Sequence, residues 1–140
     1  MNIEQTLKDA EQFLAPWCKE TFHPEVNRLD VAIQVDDLRA AVGALLAARW
    51  GYLSAVTGTD LGIEVGQLEA LYHFCNGPAI TSLRIHLPRE SDACLPSIAD
   101  IIPSASFFER ELQEMLGFAF SGSKVSERLF LPDDWPEKVY

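Results

Sequence analysis

The sequence predicts an α+β fold: a mixed, mostly antiparallel sheet with helices on one face, followed by an extended C-terminal tail. Three observations carry this. Apolar periodicity switches between helical spacing and strict alternation, in the order helix, strand, helix, three strands, helix. Asn76-Gly77 lies between two alternating runs, the strongest short hairpin signal in the chain. After Gly117 the periodicity stops, leaving a stretch with prolines at 132 and 136 and too few spaced apolar residues for a core. The expected organisation is an α+β body over 1–117 and a partner-docking tail over 118–140.

Composition narrows the function. With 140 residues, 48% hydrophobic and 23% charged, the chain fits one soluble globular domain. A net charge of −10 with only 11 basic residues, none clustered, argues against nucleic acid. No apolar run reaches the ~20 residues that span a bilayer. The N-terminus MNIEQTLKDAEQFLAP is polar and acidic, unlike a signal peptide or lipidation site, so a cytoplasmic location is expected. Cys18, Cys75 and Cys94 are widely spaced with no C-x-x-C, which predicts reduced, buried thiols.

Taken in order, Ile3, Leu7, Ala10, Phe13 and Leu14 fall at helical spacing and predict a helix over 3–14. Pro16 and Pro24 bracket a loop containing Trp17 and Phe22. From 28 to 35 the chain alternates: Leu29, Val31, Ile33 and Val35 face one way, Asp30, Ala32 and Gln34 the other, a half-buried strand. Asp36 or Asp37 then caps a helix to about Trp50, with Leu38, Val42, Leu45 and Leu46 as its apolar stripe and Gly51 as its stop. Residues 52–57 return to strand, closing with Thr57-Gly58-Thr59-Asp60. Strands over 67–75 and 79–87 follow, with Leu68, Ala70, Tyr72 and Phe74 on one face of the first. In the second, Leu83, Ile85 and Leu87 share a face and leave Arg84 and His86 on the other. A loop from Pro88 to Pro103 holds a short helical piece at 97–102.

The stretch Phe107–Asp134 organises the rest. Ser106 and Glu109 have the spacing of a capping box. At 100° per residue, Phe108, Leu112, Met115 and Leu116 form one stripe, bordered by Glu109 on one edge and Glu111 on the other. Those two carboxylates project about 160° apart, which rules out shared acid–base work. Arg110 and Glu114 sit together on the solvent side. Charges bordering an apolar stripe suit the rim of a protein interface. Beyond Gly117, Phe118-Ala119-Phe120 is extended, and the Arg128–Leu131 run RLFL with Pro132-Asp133-Asp134-Trp135-Pro136 suits a segment lying across a partner. The adjacent Asp133 and Asp134 lack a third metal ligand. His73 and Cys75 share a strand face but also lack one.

Here the sequence resembles a known family. PSASFFERELQEMLGFAFSG followed by RLFLPDDWPE is similar to the 30-kDa subunit of respiratory complex I, the C subunit of the bacterial NADH-quinone oxidoreductase. That family includes the equivalent subunits of membrane-bound energy-converting hydrogenases and formate hydrogenlyase. Glu109-Arg110-Glu111, Gly117, Phe120, Gly122, Arg128 and Leu131 to Trp135 match its motifs, as does the T-G-x-D of residues 57–60. The resemblance extends over roughly 30–136. Departures are Ser123–Glu127 in place of a His-Pro-Asp turn and Met115-Leu116 in place of an acidic–aromatic pair. A Pro-Leu-Arg-Lys stretch that follows in family members has no counterpart before Tyr140.

The resemblance implies a non-catalytic, cofactor-free subunit of the hydrophilic arm of a proton-translocating NADH:quinone oxidoreductase, peripheral on the cytoplasmic face of the membrane. Its implied partners are the large hydrogenase-like quinone-site subunit and the iron–sulfur small subunit. Quinone, iron–sulfur clusters and the NADH or nickel–iron site belong to those partners. Residues expected to meet them are Glu109, Arg110, Glu111, Glu114, Phe120, Arg128, Leu129, Leu131, Asp133, Asp134 and Trp135. A hydrogenase-linked complex is the alternative branch. A different class of reading is a stand-alone α+β enzyme or ligand-binding protein using the sheet face around Arg84 and His86.

Overall fold

A computed structural model describes residues 2–89 and 94–122. Helix α1 (Ile3–Leu14) starts where the Asn2 side chain accepts from the Gln5 N–H at 3.1 Å, and buries Leu7, Ala10 and Leu14. Phe13 turns outward, 39% exposed. The expected Pro16–Pro24 loop is instead a short 3-10 turn (Ala15–Trp17) and then strand β1 (Glu20–Glu25). Alternation could not reveal β1, because it is an exposed edge strand with a register shift between Phe22 and Glu25. Pro24 is tolerated there because an edge position needs no ladder donor.

Strand β2 (Arg28–Ala32) is shorter than expected, and Val35 falls in a 3-10 turn (Val35–Asp37). Helix α2 (Leu38–Ala47) follows without a side-chain cap from either aspartate. The turn itself removes the need: the Asp37 N–H bonds the Gln34 carbonyl and the Leu38 N–H that of Val35. The helix stops before Trp50, in a Schellman closure. Arg49 takes the left-handed conformation (φ 54°), its N–H bonds Leu46 O, and the Trp50 N–H bonds Leu45 O, both at 3.0 Å. Trp50 then buries its ring and donates Nε1–H to Thr6 O at 2.8 Å, tying α2 to α1.

Strands β3 (Tyr52–Asp60), β4 (Gln67–Asn76) and β5 (Ala79–Pro88) form an antiparallel meander. The expected hairpin is present, one residue along: Asn76 pairs with Ala79, and Gly77-Pro78 make the turn. Gly58 lies inside β3, so Thr57–Asp60 continues the strand. The five-stranded order is β1-β2-β5-β4-β3, with β2 and β5 parallel. Residues directly opposed in register share a face. One face gathers Leu29, Val31, Leu53, Val56, Ala70, Tyr72, Phe74, Leu83, Ile85 and Leu87, all buried. Against it pack α1, with α2 on α1, and α3 (Ala105–Leu116) over β3. The expected helical piece at 97–102 is a single turn, Ile102 N–H to Ile98 O. Before it, β6 (Leu95–Pro96) pairs in parallel with β7 (Phe120–Ser121). The three thiols are free and half-buried rather than buried.

Gly51 (φ 90°) lies so close to β4 that an added Cβ would collide with the Cys75 carbonyl oxygen. A backbone oxygen cannot swing aside as a side-chain tip can. Gly51→Ala is therefore expected to destabilise the fold by at least ~1 kcal/mol, read as a lowered melting temperature. An unchanged melting temperature would show that β3 and β4 separate freely here.

Candidate functional site

The helix carrying the E-R-E motif is held from below. Its N-cap is Ser104, without a side-chain bond, and Ser106 lies inside the first turn. The expected capping box does not form. Glu109 instead points into the protein, 2% exposed, where its carboxylate accepts from Ser97 Oγ at 2.6 Å and Ile98 N at 3.1 Å. Those donors stand beneath the helix because β6 and β7 hold the segment there: Leu95 N–H bonds Ala119 O and Ser97 N–H bonds Ser121 O, both at 2.9 Å.

Arg39 of α2 braces the same turn, donating to both Asp100 oxygens at 2.7 and 2.8 Å and to Ser97 O. The Arg39 bond holds the Asp100 carboxyl down to about 2. Burial pushes the Glu109 carboxyl above the usual carboxylate range, and the Ser97 and Ile98 bonds only partly oppose it. Burial, and next the Glu109 charge, push the Tyr72 phenol well above its ordinary value. Glu109 is therefore an internal clasp, and its predicted place on an interface rim is corrected.

The helix lies close on β3 because Gly58 has no side chain. A Cβ there would meet Leu112 Cδ2 at 2.7 Å, Phe118 Cε2 at 2.9 Å and Leu116 Cδ1 at 3.0 Å. Leu112 and Phe118 are buried, while Phe108 and Leu116 pack half-buried against the core. Met115, expected in the inward stripe, is 43% exposed, as the roll that buries Glu109 carries it outward. Phe107 is 44% exposed.

Arg110 and Glu111 are half-buried. The Arg110 Nε is itself buried and makes no hydrogen bond among the described residues. Glu114, expected on the solvent side beside Arg110, is only 7% exposed. Spacing fixes direction around the helix axis but not what packs over that side. Phe120 is half-buried in β7 against the core. Arg128, Leu129, Leu131, Asp133, Asp134 and Trp135 lie outside the described residues.

The opposite sheet face carries a polar network, in which the buried Arg84 Nε makes no hydrogen bond among the described residues. Asp30, expected to face outward on a half-buried strand, is completely buried. It accepts from Arg28 Nε at 2.7 Å and from Arg84 Nη2 at 2.6 Å. Arg84 stacks over the Phe22 ring, 4.9 Å from its centroid. His86 Nε2 is 2.8 Å from Glu69 Oε2. His73 lies between two hydroxyls, Nδ1 2.7 Å from Ser82 Oγ and Nε2 2.9 Å from Thr57 Oγ1. Burial, then the nearby Arg28 charge, lowers its pKa. Ser82 is fully buried, so its hydroxyl cannot meet a substrate from solvent. Sequence reasoning found Arg84 and His86 but missed Phe22, Arg28, Asp30 and Glu69, whose meeting depends on the β2–β5 register. Among the described residues, no group of three or more His, Cys, Asp or Glu is placed to hold a metal ion.

The model of the respiratory-chain NADH dehydrogenase 30 kDa subunit matches residues 31–139. The chain belongs to this family. The resemblance read from the E-R-E and L-P-D-D-W motifs is thereby confirmed. Membrane-bound hydrogenase subunit beta of Pyrococcus furiosus is 43% identical over 83 residues, covering 58% of this chain and 47% of the relative. The NADH-quinone oxidoreductase C subunit of Salinispora arenicola is 34% identical over 119 residues, 82% of this chain and 45% of the relative. Formate hydrogenlyase subunit 5 of Escherichia coli is 32% identical over 117 residues, covering 81% of this chain and 20% of the relative. The chain thus spans about half or less of these curated relatives' length.

In fold, a chain of the membrane-bound sulfane sulfur reductase, an archaeal respiratory membrane complex, superposes with a TM-score of 0.77 at 24% identity. That match covers 94% of this chain and 77% of the other. A trypsin-resistant fragment of Nqo5 gives 0.69 at 20% identity, covering 87% of this chain and 97% of the fragment. No helix among the described residues is long and apolar enough to cross a membrane.

Glu109 gives a pH signature. Because folding raises its pKa, the protonated form is favoured in the native state. That contribution is complete below the unfolded value near 4.5 and is lost as pH rises through the folded value. Relative to Glu109→Gln, the natural protein should lose melting temperature as pH rises from 4.5 toward neutrality; parallel profiles would remove the carboxyl from this role. Glu109→Ala orphans two buried donors and should cost about 1–3 kcal/mol for each. Asp30→Ala leaves two arginines facing each other across the sheet and should cost about 3 kcal/mol in denaturant unfolding.

Proposed function

We propose that this chain is a non-catalytic, cofactor-free subunit of the hydrophilic arm of a proton-translocating NADH:quinone oxidoreductase, where it supports the large quinone-site subunit. Its place is peripheral, on the cytoplasmic face of the membrane. Its partners are that large hydrogenase-like subunit and the iron–sulfur small subunit. Quinone, iron–sulfur clusters and NADH chemistry belong to those neighbours. The side of α3 that carries Arg110 and Glu111, with the largely buried Glu114 on the same helix, and the tail that continues from the Phe118–Phe120 anchor form the docking element. In the tail, Arg128, Leu129, Leu131, Asp133, Asp134 and Trp135 lie across the partner.

One observation carries this reading. The Arg110 Nε is a buried donor without an acceptor among the described residues, on the helix that bears the family motif. Such a donor costs stability unless it gains a partner, and docking supplies one. On the opposite sheet face Asp30 is paired with Arg28 and Arg84, and Glu69 with His86, though the buried Arg84 Nε, 3.9 Å from Glu69 Oε2, also makes no hydrogen bond among the described residues.

A second reading places the same subunit in a membrane-bound nickel–iron hydrogenase or formate hydrogenlyase. It is favoured by the 43% identity to the Pyrococcus furiosus hydrogenase subunit, above the 34% to the Salinispora arenicola protein.

Affinity purification of the tagged chain from solubilised host membranes, with partners identified by mass spectrometry, separates the branches by the donor modules recovered. Arg110→Ala and Glu111→Ala should each weaken association with the large subunit by about tenfold while leaving the melting temperature of the isolated protein nearly unchanged. Equal losses in both measurements would make these residues structural instead.

A further inference from the structure

The hairpin between β3 and β4 ends in a tip, residues 61–66, that no motif drew attention to. It presents Ile63, 78% exposed, and Val65, 57% exposed, with exposed Glu64 between them. An apolar loop tip ordinarily collapses or moves. This one is held by a set of hydrogen bonds. Asp60 Oδ1 accepts from the Gly62 N–H at 2.9 Å, and Asp60 Oδ2 accepts from Arg89 Nε at 3.0 Å. The Gly66 N–H closes on Gly62 O at 2.9 Å, Leu61 N–H on Gln67 O at 3.0 Å, and Arg89 N–H on Gly66 O at 2.9 Å. The tip is therefore ordered before anything touches it, and binding it carries little conformational cost.

We propose that this tip is a preformed apolar finger that enters an apolar pocket with a basic rim on the same protein partner that receives the tail. Position supports a shared partner. Gly58, two residues before Asp60, lies directly under Leu116 and Phe118, so the finger and the root of the tail leave the body at the same end of β3. Charge selects protein over lipid. A membrane-inserting tip is flanked by Lys or Arg that meet anionic headgroups. Here the finger carries Glu64, the Arg89 beside it is paired with Asp60, and the chain is at −10. A Lys or Arg at the pocket rim would meet Glu64, and burial of two aliphatic side chains would supply the affinity.

This inference rests on the subunit reading, and its test keeps the two apart. In a strain whose own copy is replaced by the tagged full-length chain, a photo-crosslinking amino acid is placed at position 63 or, separately, at 135. Both are expected to capture one and the same polypeptide, the position-63 adduct in an apolar peptide with a neighbouring Lys or Arg. The double variant Ile63→Ser with Val65→Ser should lower co-purified partner by about tenfold, with the melting temperature unchanged to about 1 °C.

If the double variant co-purifies as well as the natural chain while Trp135→Ala does not, the finger is overturned and the subunit reading stands. If neither variant changes co-purification, both fall. If the position-63 adduct is a phospholipid, and vesicles of neutral phosphatidylcholine retain the natural chain but not the double variant, the finger is a lipid anchor and the proposal is overturned.

Discussion

Everything in this fold depends on the parallel seam between β2 and β5. It joins the β1–β2 hairpin to the β3–β4–β5 meander, and α1 packs across both of its strands. The seam is closed in two ways. On the helix side Leu29, Val31 and Leu83 exclude water completely. On the other side Asp30 of β2 is gripped by Arg84 of β5 and by Arg28. The apolar contacts supply most of the stability. The charged clamp adds direction, because a one-residue slip would bring the carboxylate to the apolar face and away from its arginines.

The helix that bears the family motif is built as a second layer on the far edge of the same sheet. Gly58 admits it, Glu109 clasps its inner side, and Arg39 braces the clasp from α2. A glutamate that reads as a surface charge is spent on holding the helix down. Its neighbours Arg110 and Glu111 are half-buried. Adjacent residues of one motif therefore lie at different depths, the first fully buried and the next two half-buried.

Much of this was legible in the sequence because it follows from local rules. The meander, α1, the Leu112 side of α3 and the glycine that closes it all come from periodicity and turn chemistry. What was not legible depends on tertiary context. β1 carries no alternation, since an edge strand with a proline and an irregular register has no buried face to encode. The Ser106–Glu109 spacing fitted a capping box, but Ser97 and the Ile98 N–H, twelve and eleven residues upstream, offered the carboxylate better partners. Asp30 alternated as a solvent-facing residue, and only the register of β2 against β5 shows why it is buried.

The spacing of that clamp also matters while the chain is being made. Asp30 and Arg84 are 54 residues apart, so β2 emerges from the ribosome well before the strand that completes it. Until β5 arrives, RLDVA is a short apolar strand with an unpaired edge. A hydrated carboxylate at its centre opposes pairing with a neighbouring nascent chain. The group that fixes the register of the finished sheet thus also serves as a gatekeeper, guarding the unfinished strand until its arginine has been synthesised.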